Sequence, residues 1–186
     1  AQTSPKYENF GYVSTPPEID ATAFINGGIF DLLSPMGIFD TQNTLYYTNL
    51  PKGFMSSYTG FRFAYINQNN YSPADSLVNQ GEVDGYLLAI YATNIINSGF
   101  LIADPGGLVR MEGQKVDLSR GGISASTYAG VSAISELTPI YTAVGTNNDV
   151  TDRGRAMALT TFTMPSPSSP MHSVLVPLLG AGTNQY

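Results

Sequence analysis

Cysteine and tryptophan are absent from this chain of 186 residues, histidine occurs once, and 12% of positions are charged, about half the share usual in soluble domains. Without cysteine there are no disulfide staples, no thiolate nucleophile and no cysteine-ligated metal. The single histidine, His172, cannot build an ordinary zinc site alone, and no nucleophile elbow or orienting acid lies beside it in sequence, so it reads as a surface or turn residue. Eight Lys and Arg scattered singly, with a net charge of -6, leave no electrostatic footprint for nucleic acid or an anionic membrane surface. No apolar run reaches the length of about 18 residues that a helical membrane span needs.

What the chain has instead is Gly, Asn, Ser, Thr and Tyr, with 19 glycines and 12 tyrosines, set between short apolar runs rich in β-branched and aromatic residues. The stretch from Leu77 to Ile123 shows a small repeating unit: two apolar residues, Asn, any residue, Gly, any residue, apolar. It occurs at Leu77-Val78-Asn79-Gln80-Gly81-Glu82-Val83 and at Ile95-Ile96-Asn97-Ser98-Gly99-Phe100-Leu101. Upstream, Phe24-Ile25-Asn26-Gly27-Gly28-Ile29-Phe30 is a third copy, and a looser one runs from Tyr47 through Asn49 and Gly53 to Met55 with two extra residues between Asn and Gly. The asparagines are spaced by 23, 30 and 18 residues, and another 20 leads to Asp117-Leu118-Ser119-Arg120-Gly121-Gly122, which reads as an Asp-for-Asn relative.

Periods in the twenties signal stacked, repeating architecture. The apolar runs are too short and too β-branched for helices, so each unit reads as strand, turn, strand. Asn and Gly suit sharp corners because they accept positive φ, and identical asparagines in successive layers can bond in a ladder. The structural residues expected at the corners are therefore Asn26 with Gly28, Asn49 with Gly53, Asn79 with Gly81, and Asn97 with Gly99.

The phrases Ala92-Thr93-Asn94-Ile95-Ile96-Asn97-Ser98-Gly99, Gly106-Gly107-Leu108-Val109 and Val116-Asp117-Leu118-Ser119 resemble the degenerate repeats of secreted right-handed parallel β-helix proteins, namely filamentous-haemagglutinin-like adhesins and large bacterial surface proteins. The stretch from Phe39 to Asn49, followed by Gly60-Phe61-Arg62-Phe63, is similar to the N-terminal part of the latter group. The resemblance covers roughly residues 20 to 125. It implies an all-β, right-handed parallel β-helix (solenoid) with irregular C-terminal strands, and it carries no catalytic residue with it. The alternative from the residues themselves is a β-sandwich or jelly roll in which the Asn-Gly turns are hairpins.

Residues 1–20, polar and containing Pro5, Pro16 and Pro17, read as an extended lead-in or cap. Residues 21–164 form the solenoid domain. Asn67 to Ser76 is expected as a protruding loop that accounts for the spacing of 30, Gly130 to Leu137 as a short helix or strand, and Asn147 to Arg155 as a polar turn. Residues 165–186 read as a Pro/Ser-rich linker and a last apolar strand. The chain opens on Ala1-Gln2-Thr3, small residues of the kind signal-peptide cleavage leaves, and the expectation is a secreted protein at the extracellular cell surface.

Candidate chemistry is sparse. Asp31, Asp40, Asp75, Glu82, Asp84, Asp104 and Asp117 are spread one or two per unit; Glu82 and Asp84 share a strand face and form the one candidate carboxylate pair, which reads more simply as a solvated face. Asp149 and Asp152 offer oxygen ligands for calcium, against the plainer reading of an Asx-rich turn. No catalytic residue, cofactor or metal is assigned. Among Tyr46, Tyr47, Tyr58, Tyr65 and Tyr71, the candidates for a glycan face are Tyr58 and Tyr71, with core or cross-strand packing as the competing role. The expected function is non-enzymatic: a structural or adhesive surface protein, a self-assembling subunit of a filament or sheath whose association withstands salt and chelators. Carbohydrate binding or carbohydrate chemistry on the same fold is the alternative.

Overall fold

The computed structural model describes residues 4–33, 37–68, 70–118, 120–125, 128–138, 143–145, 147–152, 155–156, 158–162 and 171–176, and beyond residue 125 it describes only the side chains of Val131 and Ala133. Every regular element among them is a strand. The strands are β1 (Ser4–Asn9), β2 (Tyr12–Val13), β3 (Ala21–Asn26), β4 (Ile29–Leu32), β5 (Tyr46–Asn49), β6 (Phe54–Phe63), β7 (Tyr65–Asn67), β8 (Asn70–Ser72) and β9 (Ala74–Asn79). After them come β10 (Glu82–Asn97), β11 (Phe100–Asp117), β12 (Gly122–Ala125), β13 (Tyr128–Thr138), β14 (Ala143–Gly145), β15 (Asn147–Asp152), β16 (Arg155–Ala156), β17 (Ala158–Phe162) and β18 (Met171–Val176).

Pairing is mostly parallel, and each strand pairs with the strand about one period further along the chain. Three stacks result. The first joins β1, β3, β5, β9 and the last parts of β10, β11 and β13, aligning Tyr7, Phe24, Tyr47, Leu77, Ile95, Val116 and Leu137. The second joins β2, β4, β12 and the first parts of β6, β10 and β11, aligning Val13, Phe30, Met55, Val83, Leu101 and Ile123. The third joins the end of β6, the middle of β10 and of β11, β13 and β15, aligning Phe61, Leu88, Val109 and Ala129. Because side chains alternate along a strand, one face of every stack is apolar, and the three faces meet in a single core.

The core is sorted by residue type. Its N-terminal half is aromatic: Tyr7 stacks on Phe24 with centroids 5.7 Å apart, and Phe24 meets Phe30 edge-on at 5.6 Å. Phe61 and Phe63 stack at 5.9 Å. The C-terminal half is aliphatic, with Leu88, Ile90, Ile95, Leu101, Val109 and Met111 at or below 1% exposure. Full burial of one such side chain contributes about 1.5–3 kcal/mol. Near the aromatic end, Tyr47 donates to the Ala64 carbonyl at 2.7 Å and meets Thr41 Oγ1 at 2.7 Å, while Thr44 donates to the Ala21 carbonyl at 2.8 Å. Burial pushes the Tyr47 hydroxyl up to about 12, despite those hydrogen bonds.

Several expectations change. Residues 4–9 and 12–13, expected in an extended lead-in, contribute β1 and β2, the first strands of two stacks. The expected loop after Ile66 is a hairpin of β7 and β8, turning through Gln68 at φ 46°. Gly130 to Leu137 lies in strand β13, held by β11 on one side, so strand and not helix is the outcome. The expected polar turn from Asn147 is strand β15 up to Asp152, paired with β13. The Asn-Gly turns are not hairpins, since the strands on either side of each belong to different stacks; this removes the sandwich arrangement. Beyond β15 the order reverses: β16 pairs antiparallel with β15, β18 pairs antiparallel with β14, and β17 with β18.

Candidate functional site

The corners between the first and second stacks carry the repeated asparagines, and their side chains form a ladder. Asn9 donates to Asn26 Oδ1 at 2.8 Å, Asn26 to Asn49 at 2.9 Å, Asn49 to Asn79 at 2.9 Å and Asn79 to Asn97 at 2.8 Å. Each Nδ2 also donates to a main-chain carbonyl of the next pass, respectively Ile29, Phe54, Glu82, Phe100 and Gly122, at 3.1–3.2 Å. All five side chains are within 5% of full burial. Buried amides are costly unless satisfied, and here each pass satisfies the one before it.

Asn9 is the member the sequence reading missed. Asn9-Phe10-Gly11 keeps the Asn-x-Gly spacing, but Glu8 interrupts the apolar flank, because position 8 points outward. Asp117 is not a rung: it is in register with Ile96, so the fully buried Leu118 stands where Asn97 stands one pass earlier, and the ladder ends there.

The glycines at these corners are required for a reason other than positive φ, which among the described residues is confined to Asn43, Gln68, Gly60 and Gly106. What they need is the absence of Cβ. A Cβ on Gly28 would lie 2.3 Å from the Gly11 carbonyl oxygen, on Gly81 2.1 Å from that of Gly53, and on Gly99 1.9 Å from that of Gly81. On Gly53 it would lie 2.1 Å from Asn49 Oδ1. At the looser corner Gly53 N–H closes a tight turn on the Leu50 carbonyl at 2.7 Å, which puts Pro51 and Lys52 outside and returns Gly53 to the glycine column.

The tyrosines part ways. Tyr47 is core, Tyr58 is 72% exposed at the bend of β6, and Tyr71 is 58% exposed on the hairpin. Only Tyr71 enters a cleft. On the outward face of the third stack Arg62 is in register with Ala89, and Ala89 with Arg110; one step along, Tyr91 is in register with Glu112. Arg62 donates to the Tyr71 hydroxyl at 3.1 Å, sits 4.8 Å from its ring centroid and pairs with Asp40 at 3.3 Å. Arg110 lies 5.9 Å from the Tyr91 ring centroid and bonds Glu112 through Nε at 2.8 Å. A cleft of about 450 Å³ opens between Tyr71, Tyr91, Arg62 and Glu112. A larger groove of about 750 Å³ lies between residues 16–20 and 37–42.

Glu82 and Asp84 do share an outward face, and Asp104 joins them. Burial raises the Asp84 carboxyl above the usual range, followed by repulsion from Asp104 and Glu82, and its Oδ1 is buried without a hydrogen-bond partner. Burial likewise raises Asp40, opposed by Arg62. Among the described residues no group of three or more His, Cys, Asp or Glu is placed to hold a metal ion, and no helix is long and apolar enough to cross a membrane. The side chains of Asp149, Asp152 and His172 lie outside the described residues. In comparisons with family models, curated proteins and solved structures, nothing matches the chain.

Proposed function

We propose that the chain is a short parallel β-helix, of the right-handed kind its repeats resemble, and that it works as a secreted structural or adhesive element at a cell surface, associating with copies of itself. The observation that carries this reading is the unbroken asparagine ladder, in which every buried amide is completed by the following pass. A chain built this way gains stiffness along its axis from side-chain and main-chain bonds alike, which suits a rod that bears load or displays a surface. The antiparallel strands β17 and β18, lying over β14, occupy one strand edge at the far end; that favours association through the sides of the rod over growth from that edge.

The test is sedimentation of the purified chain over a range of concentrations, with electron microscopy of the same samples. Ordered filaments, sheets or discrete oligomers that persist in chelator and in raised salt are the expected result. A compact monomer at every concentration would overturn the assembly reading.

The second reading, glycan binding, is favoured by the cleft of Tyr71 and Tyr91 with Arg62 and Glu112: two aromatic faces beside hydrogen-bonding groups match what sugar rings need. Retention on immobilised polysaccharides, lost in Tyr71→Ala and Tyr91→Ala and kept in Tyr58→Ala, is the expected pattern. Equal loss in Tyr58→Ala would place the glycan outside this cleft.

A further inference from the structure

Among the described residues, the charged side chains in the wall of the Tyr71–Tyr91 cleft are Arg62 and Glu112, and each is matched by an opposite charge outside that wall. Arg62 pairs with Asp40 at 3.3 Å, and Glu112 pairs with Arg110. These pairs occupy only part of each group. Arg62 commits Nη1 alone, to Asp40 and to the Tyr71 hydroxyl. Arg110 bonds a single oxygen of Glu112, Oε1. Among the described residues, Nε and Nη2 of Arg62 and Oε2 of Glu112 therefore have no hydrogen-bond partner, and the two side chains are 26% and 41% exposed. The cleft thus offers donors from one wall residue and an acceptor from another, with its formal charges already cancelled.

We infer that this cleft takes an uncharged sugar, a neutral hexopyranose unit of a polysaccharide, and discriminates against uronic acids and amino sugars. A hydroxyl both donates and accepts, so the hydroxyls of a neutral sugar accept from Arg62 and donate to Glu112 while both ion pairs stay intact. A carboxylate bonded to Arg62 meets the like charges of Asp40 and Glu112. An ammonium bonded to Glu112 meets those of Arg62 and Arg110. A charged sugar therefore gains one contact at the cost of repulsion or of a broken pair, which is how a site rejects a close relative of its ligand.

The aromatic side chains fit the same ligand. Tyr91 lines the cleft, while Arg110, with its guanidinium over that ring at 5.9 Å from the centroid, does not, so the cation approaches Tyr91 from outside the cleft. The C–H face of a pyranose packs on such a ring as an apolar surface, and its hydroxyls reach the polar groups at the rim. A volume of about 450 Å³ lies toward the lower end of the range of about 300–1,000 Å³ for ligand sites, so the cleft holds a short segment of a chain. Because no net charge is matched on binding, the affinity is expected to change little with salt.

This inference rests on the glycan reading above and adds the class of sugar. The experiment measures retention of the full chain on immobilised neutral glucan, neutral mannan, polygalacturonate and chitosan. Raised salt screens the chain's net charge of -6, and only retention that Tyr91→Ala abolishes is counted. The variants are Arg62→Lys, which keeps the pair with Asp40 but loses the planar fork, and Glu112→Ala, at an outward position where the fold is expected to survive; both are checked for native circular dichroism. The expected result is retention on a neutral polysaccharide above that on either charged one, weakened about tenfold in each variant as a charge-assisted hydrogen bond is lost. Stronger cleft-dependent retention on polygalacturonate or chitosan would overturn the neutral ligand and leave the glycan reading standing. So would neutral retention that Tyr91→Ala abolishes and the two variants leave unchanged, since the donors and acceptor named here would then play no part. No counted retention on any of the four would overturn both.

Discussion

Asn79 reaches Asn97 across 18 residues of sequence with a side-chain hydrogen bond of 2.8 Å, and the two amides are 1% and 0% exposed. Asn79 also accepts from Asn49 and donates to the Phe100 carbonyl. Three partners, two of them buried amides, bond to this one side chain.

Asn79→Ala is therefore expected to destabilise the fold by about 3 kcal/mol or more, since each buried group left without a partner costs about 1–3 kcal/mol. Urea unfolding of the variant against wild type measures it, and a loss below about 1 kcal/mol would show that water replaces the missing amide.

Glycine in the corner column is needed only where another pass lies close. Gly99→Ala puts a Cβ 1.9 Å from a main-chain oxygen, whereas on Gly11, in the first pass, the nearest atom would be Asn9 Oδ1 at 4.0 Å. Gly99→Ala should cost about 3 kcal/mol or more, in the range of severe overpacking, and Gly11→Ala less than about 0.5 kcal/mol. Thermal melts of the pair decide it, and similar losses for both would move the cause from contact to backbone conformation.

Asp84 sets a pH dependence. Its folded-state pKa is raised by burial, then by Asp104 and Glu82, so the folded chain holds the proton more tightly than the unfolded chain. Stability from this group therefore increases as pH falls from above the raised value toward the ordinary carboxylate range, and it decreases as pH rises. Asp84→Asn should melt higher than wild type at pH 7, with the gap narrowing on acidification. A gap that widens instead would mean that the ionised form is stabilised.

Tyr47→Phe removes a buried hydroxyl that serves the Ala64 carbonyl and Thr41. The expected cost is about 1–2 kcal/mol, read by denaturant unfolding. The ultraviolet titration of the variant should also lose the component near pH 12 that Tyr47 supplies.

Where a residue's role is fixed by its nearest neighbours along the chain, the sequence was readable. Asn26, Asn49, Asn79 and Asn97 could be placed at corners from Asn-x-Gly and the apolar flanks alone, although two extra residues before Gly53 make the second copy looser. What depends on the neighbouring pass could not be read. Asp117 looks like a rung until Ile96 is set beside it, and Glu8 hides Asn9 because an outward charge breaks the apolar flank without disturbing the inward asparagine. The reason for the glycines was also out of reach, since it lies in oxygens of the pass alongside. Tyr71 belongs to a cleft only because the hairpin brings it over Arg62, and Tyr91, which shares that cleft, gave no local sign at all.

In the ladder every amide donates toward the later pass, and each one after Asn9 accepts from the amide of the earlier pass. Each corner thus has an input side and an output side of the same kind, like a plug and socket. Residues 80–97 make up one such unit; cutting them out would join Asn79 to Ser98-Gly99 and restore the same corner. The number of passes is for that reason the easiest property of this protein to alter by duplication or excision, and its length is open to change in steps of one module while both ends stay as they are.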